Sequence, residues 1–111
     1  MSLLKTTLGL TLGLALTLPL AAEAKKADPA AEAMMKKSDC FTCHSVAKKI
    51  VGPAYKDVAK KYKSDPKAVE KLSAKVKNGG SGAWGAIPMA AHPNLKDDQI
   101  KAMVQWVLAQ K

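Results

Sequence analysis

Cys40-Phe41-Thr42-Cys43-His44 is the run of this chain whose residue types and spacing carry chemistry by themselves. Two thiols separated by two residues, set on a turn of helix, reach one edge of a flat macrocycle. Added across the vinyl groups of a porphyrin they hold it by two thioether bonds, and C-x-x-C-H is the attachment signature of a c-type haem. The neighbouring His44 offers an imidazole nitrogen to the iron as proximal ligand. The chain has two cysteines, both in this run, so no disulfide or cysteine-rich zinc site competes for them. Three other readings use parts of the pattern. A thioredoxin-like redox pair expects a βαβ arrangement, and no strand run is found. Half of a structural zinc site lacks its remaining ligands, since the other histidine, His92, lies far along the sequence. The third is a chance match.

An iron held by one histidine leaves the opposite position to a methionine sulfur, to His92 or to nothing. Met34, Met35 and Met103 fall at apolar positions of helical patterns and read as core. Met89 differs: it closes the loop Gly82-Ala83-Trp84-Gly85-Ala86-Ile87-Pro88-Met89, with a proline before it to stiffen the approach. A thioether ligand there favours ferrous iron and so raises the reduction potential. It also closes the iron to oxygen and peroxide, a combination that suits an electron carrier.

The elements that must position these groups read as helices. Asp28-Pro29 is an N-cap with proline at the first helical position, and the Ala-rich segment behind it runs to Asp39 and the cysteine motif. Ile50-Val51-Gly52-Pro53 is a loop, and Ala54 to Tyr62 a short helix. A second pair, Asp65-Pro66, opens a helix carrying Val69, Leu72 and Val76, closed by Gly79 and Gly80. Ile100, Met103, Val104, Val107 and Leu108 follow i, i+3, i+4, i+7, i+8, the apolar stripe of a last helix. Asp97 and Asp98 stand at its positive end and Lys111 at the other. The periodicity predicts an all-α domain of three longer helices and one short one.

Residues 1–24 read as a cleaved secretory signal peptide: a start carrying Lys5, an apolar run from Leu8 to Leu20, and Ala22-Glu23-Ala24 as an A-x-A site. The run falls short of the ~20 residues that a spanning helix needs; an uncleaved anchor is the alternative. The domain is then 25–111, and export fits a haem that bacteria attach outside the cytoplasm. So small a core is marginal alone, and a tethered haem would add a large apolar staple. Eighteen basic against nine acidic residues give a net charge of +9, and every basic residue is lysine. Nucleic-acid binding is a poor reading, because arginine forks and aromatic platforms are missing. A lysine surface is either simply solvated or steers the protein toward acidic partners or membrane surfaces. Such a domain leaves no obvious apolar face over, so a monomer is expected.

Several blocks in order resemble the small monohaem class I bacterial cytochromes c, which shuttle electrons in the periplasm. They are Cys40 to His44, Val51-Gly52-Pro53-Ala54-Tyr55, Asn78-Gly79-Gly80-Ser81-Gly82-Ala83-Trp84-Gly85, Ile87-Pro88-Met89 and Trp106-Val107-Leu108. The resemblance implies a small cytochrome c fold around one covalent haem c, held through Cys40 and Cys43. It implies His44 and Met89 as axial ligands, with the Pro53 carbonyl orienting His44. It further implies that Trp84, a buried indole in need of a partner, bonds a haem propionate. Lys75 falls where some relatives place a basic residue near a propionate, and a solvated lysine is the other reading.

The chain also departs from that pattern. Relatives often follow the ligand methionine with prolines and then asparagine; here the run is Met89-Ala90-Ala91-His92-Pro93-Asn94, which implies a looser ligand loop. His92 reads as a surface histidine near the haem edge. Its alternatives are a propionate partner that titrates near neutral pH, a replacement ligand at alkaline pH, or an iron ligand. Asp39 stands where a small residue is common and reads as exposed.

The expected function is a soluble periplasmic one-electron carrier between a membrane respiratory complex and a terminal reductase or oxidase, not an enzyme. Lys36, Lys37, Lys48, Lys49 and Lys56 would rim its haem edge and speed encounter with acidic redox proteins. The alternative is a haem enzyme or gas sensor with an open or labile sixth position, for which His92 is the only candidate base.

Overall fold

A computed structural model describes Gly9, Gly13–Ala15 and residues 27–111. The expected signal peptide, apart from those four residues, lies outside the described residues.

Helix α1 is Pro29–Lys37. It starts where the sequence places it: Asp28 accepts a hydrogen bond from the Ala30 amide at 2.9 Å, and Pro29 needs no partner at the first position. Its end differs from the sequence reading. Ser38 caps it by donating to Met34 and Met35, and Asp39 turns left-handed with φ 61°. Aspartate tolerates that conformation better than most residues. The reversal separates α1 from a four-residue helix α2, Cys40–Cys43, formed by the cysteine motif itself. Helix α3 is Tyr55–Lys61, with Ala54 and Tyr62 as its caps.

Helix α4, Ala68–Asn78, begins later than the Asp65-Pro66 pair suggests. Asp65 instead closes a turn, accepting from the Lys67 amide at 2.8 Å and from the Lys71 ammonium at 2.7 Å. Helix α5, Asp97–Leu108, starts with the Gln99 side chain accepting from the Lys96 amide. Its stripe does what periodicity predicts, with Ile100, Met103 and Val104 buried.

The three longer helices α1, α4 and α5 and the short α3 are those expected; α2 is added to them. No strand forms among the described residues, only isolated antiparallel bridges at His44–Lys49 and Gly80–Met89. Helix α5 is the hub, packing on α1, α3 and α4. The central cluster joins Ala31 and Met35 of α1, Tyr55 of α3, and Met103 and Trp106 of α5. Met35 and Met103 are therefore core residues, as their spacing implies. Phe41 packs on the same cluster, so α2 is fastened directly to the core. Among the described residues no helix is long and apolar enough to cross a membrane.

Candidate functional site

The loop after α2 is tied back on the cysteine motif by its own backbone. The Cys43 carbonyl accepts from Gly52 at 2.8 Å and Val51 at 3.2 Å, while Tyr55 donates to Ser45 and Lys56 to Val46. These bonds bring Pro53 to His44, whose Nδ1 lies 2.8 Å from the Pro53 carbonyl oxygen. A carbonyl only accepts, so Nδ1 carries the proton and the lone pair belongs to Nε2. That is the tautomer a metal-ligating histidine needs, held by the partner that orients it.

The ring is fixed from a second side. Tyr55 stacks on His44 at 5.0 Å between centroids, and Tyr55, Phe41 and Trp106 meet edge to face at 5.7–6.1 Å. Such aromatic pairs prefer edge-to-face or offset geometry, and these meet that preference. Burial holds the Tyr55 phenol protonated far above its usual range. Burial likewise pushes the Cys40 thiol up, against a smaller lowering by its backbone hydrogen bond. Gly52 has to be glycine: a Cβ there would run into His44 Cε1 and stand 2.8 Å from Nδ1.

Met89 is presented differently. Its amide donates to the Gly80 carbonyl at 2.9 Å, and its carbonyl accepts from Gly80 at 3.0 Å. This two-bond bridge pins the methionine to the end of α4. Gly79 makes room for it with φ 67°; a Cβ there would lie 2.5 Å from the Met89 oxygen. Lys75 reaches the same place, since a Cβ on Gly80 would stand 3.3 Å from its ammonium. Beyond Met89, the His92 amide donates to the Val76 carbonyl at 3.0 Å.

One sequence reading needs correction here. His92 is not a surface histidine: drawn against α4, it is half-buried, and its Nδ1 is buried without a hydrogen-bond partner. Trp84 is 41% exposed, so its indole is open to a group outside the chain. Every residue from 81 to 88 is exposed, so the loop offers the indole no pocket of its own. What covers Trp84 is Lys61, with its ammonium 4.5 Å from the ring centroid. Sequence reasoning missed that contact, because nothing local marks one lysine of α3 among its neighbours.

Ile50 (53% exposed), Val51 (46%), Trp84 (41%) and Ile87 (66%) stay open on the segments that carry His44 and Met89. Large apolar side chains left open on the segments that carry a histidine, two thiols and a methionine fit a flat apolar macrocycle bearing a metal. The rival chemistries lose their frame. Among the described residues there is no βαβ unit for a thioredoxin pair, and no group of three His, Cys, Asp or Glu converges into an ion site for zinc.

Comparisons with known proteins agree with this chemistry. A family model described as cytochrome c matches residues 27–111. The chain is 51% identical over 75 residues to cytochrome c-551 of Allochromatium vinosum, covering 68% of this chain and 80% of that protein. It is 44% identical over 81 residues to cytochrome c-551 of Pseudomonas aeruginosa, covering 72% and 76%. The crystal structure of wild-type Nitrosomonas europaea cytochrome c552 superposes with a TM-score of 0.69 at 44% identity, covering 72% of this chain and 99% of that one. With its two cysteines spaced for a single covalently bound haem c, the chain belongs to the cytochrome c family.

Proposed function

We propose that this protein is a soluble one-electron carrier in which His44 and Met89 are the two axial ligands of its haem iron. The observation that carries the reading is the tautomer of His44. Pro53 holds the proton on Nδ1, leaving Nε2 as a base of fixed direction. The Gly80–Met89 bridge is the second support, because it gives a loop methionine a defined backbone position. When bound, the haem supplies a ferric–ferrous couple whose potential depends on its axial ligands. The chain's residues then have simple duties. Cys40 and Cys43 anchor, His44 and Met89 ligate, Pro53 orients, and Ile50, Val51 and Ile87 exclude water. Trp84 and Lys75 are assigned to the propionates, Lys75 because its ammonium already stands beside the Met89 bridge.

Residues 1–24 act as a cleaved signal peptide, and the domain 25–111 works as a monomer in the periplasm. It carries electrons from a membrane respiratory complex to a terminal reductase or oxidase. Lys48 and Lys49 are exposed beside Ile50 and Val51, and Lys36, Lys37 and Lys56 are exposed as well. They form the basic rim that acidic redox partners meet, so added salt slows electron transfer. A carrier of this kind performs no catalysis. The test is carbon monoxide added to the ferrous protein at neutral pH. The carrier reading expects no binding by the wild type and ready binding by Met89→Ala. Binding by the wild type would show an open sixth position and favour the enzyme or sensor reading.

A further inference from the structure

The loop from Ser81 to Pro88 leads directly into Met89. Inside it one backbone bond, Gly82 to Gly85 at 2.8 Å, closes a turn, and the Gly80–Met89 bridge ties its base. A single side-chain hydrogen bond reaches it from another element among the described residues: the Lys61 ammonium donates to the Ala83 carbonyl at 2.8 Å. The same ammonium stands 4.5 Å from the Trp84 ring centroid and 5.9 Å from that of Tyr62.

Lys61 is the last residue of α3, a helix whose buried Val58 and Ala59 fasten it in the fold. Its ammonium therefore joins a rigid helix end to an exposed loop. Neighbouring Lys60 and Lys63 make no side-chain hydrogen bond among the described residues, so the contact belongs to this lysine and not to the charge of the segment. A cation over an indole face adds attraction to the hydrogen bond. Together they restrict the conformations open to the loop.

We propose that Lys61 is a positioning residue. By clasping Ala83 and Trp84 to the end of α3, it sets how firmly Met89 is held toward the iron. The inference rests on the reading of Met89 as an axial ligand. Imidazole added to the ferric holoprotein competes for the position that Met89 occupies, so its apparent affinity reports how easily Met89 leaves.

Lys61→Met keeps the aliphatic stem and removes donor and charge; it is expected to bind imidazole about three- to tenfold more tightly than the wild type. Lys61→Arg restores donor and cation, and its affinity returns toward that of the wild type. Lys63→Met removes the same charge without touching the loop and should bind as the wild type does. Wild-type affinity in Lys61→Met would overturn the clasp, as would an equal tightening in Lys63→Met. Met89→Ala separates this from the underlying reading. If it binds imidazole no more tightly than the wild type, Met89 is not the ligand. If it binds far more tightly while Lys61→Met does not change, only the clasp fails.

Discussion

The two sides of the proposed iron site are built to different standards. Around His44 the backbone closes on itself through Cys43, Ser45 and Val46, and the imidazole is held by Pro53 on one edge and Tyr55 on one face. Tyr55 belongs to the central cluster with Trp106, so the histidine is continuous with the core. Around Met89 there is a two-bond bridge to Gly80, one backbone bond from His92 to α4, and one lysine clasp on an exposed loop. Disturbing the His44 side should unfold the domain. Disturbing the Met89 side should change the ligand and leave the fold. The proposed carrier would gain from this division, because a fixed histidine would preserve the cofactor's orientation while the methionine set how closed the iron is.

Trp106→Ala gives the largest expected effect. It removes the buried ring against which Tyr55 and Phe41 pack, and losses of this kind cost about 3–5 kcal/mol. Denaturant titration of the holoprotein should show that loss as a lower midpoint, with Met89 still bound in the fraction that remains folded. If Met89 ligation is lost before unfolding begins, the two sides are not separate.

Gly79→Ala probes the other side. Gly79, at φ 67° and ψ −161°, occupies backbone space essentially reserved for glycine, so an alanine there is strained by about 1–3 kcal/mol, and the new Cβ would crowd the Met89 oxygen at 2.5 Å. Imidazole should bind the ferric variant more tightly, with a smaller fall in the unfolding midpoint than Trp106→Ala gives.

Ser73→Ala tests whether the platform or the loop limits Met89. The Ser73 hydroxyl is buried in α4 without a hydrogen-bond partner. Replacing it removes an unsatisfied group and adds a better helix former, a gain of about 0.5–1 kcal/mol. The thermal midpoint should rise. Imidazole affinity should stay at the wild-type value, since the loop and not α4 is the weaker part.

The smallest effect lies remote from both ligands. The Lys71 hydrogen bond, then the Lys67 amide, holds the Asp65 carboxyl below its usual range. A carboxyl lowered on folding contributes stability above its unfolded value of about pH 4 and loses it as the pH falls through the native one. Lys71→Met should therefore narrow the small difference in thermal midpoint between neutral and acid pH. Because the Asp65–Lys71 pair lies at the surface, the change should be slight, and imidazole affinity should not follow it.

What the sequence made legible was whatever depends on local spacing. The Asp28-Pro29 start, the Ile100-Met103-Val104 stripe and the core placement of Met35 and Met103 each rest on a few neighbouring residues. Cys40 to His44 was legible for the same reason, its chemistry being written in five consecutive positions. Contacts across the fold were not legible. Lys61 meets Ala83 across 22 positions, and no pattern along the chain selects it from the other lysines. The left-handed turn at Asp39 arises because α1 must break for the motif to dock on the core. Turn chemistry also moved the start of α4: Asp65 closes a turn ahead of the helix, and the helix begins at Ala68. Burial of His92 and exposure of Trp84 depend on which segment lies against α4 and which stands free.

The central claim is that Met89 closes the sixth position on the more loosely held side of the iron. The optical spectrum of the ferric protein near neutral pH tests it most directly, through the weak far-red charge-transfer band of an iron–methionine sulfur bond. The account predicts that band in the wild type and its loss in Met89→Ala, with the protein still folded. A wild type without the band, or a Met89→Ala variant that keeps it, would contradict the account.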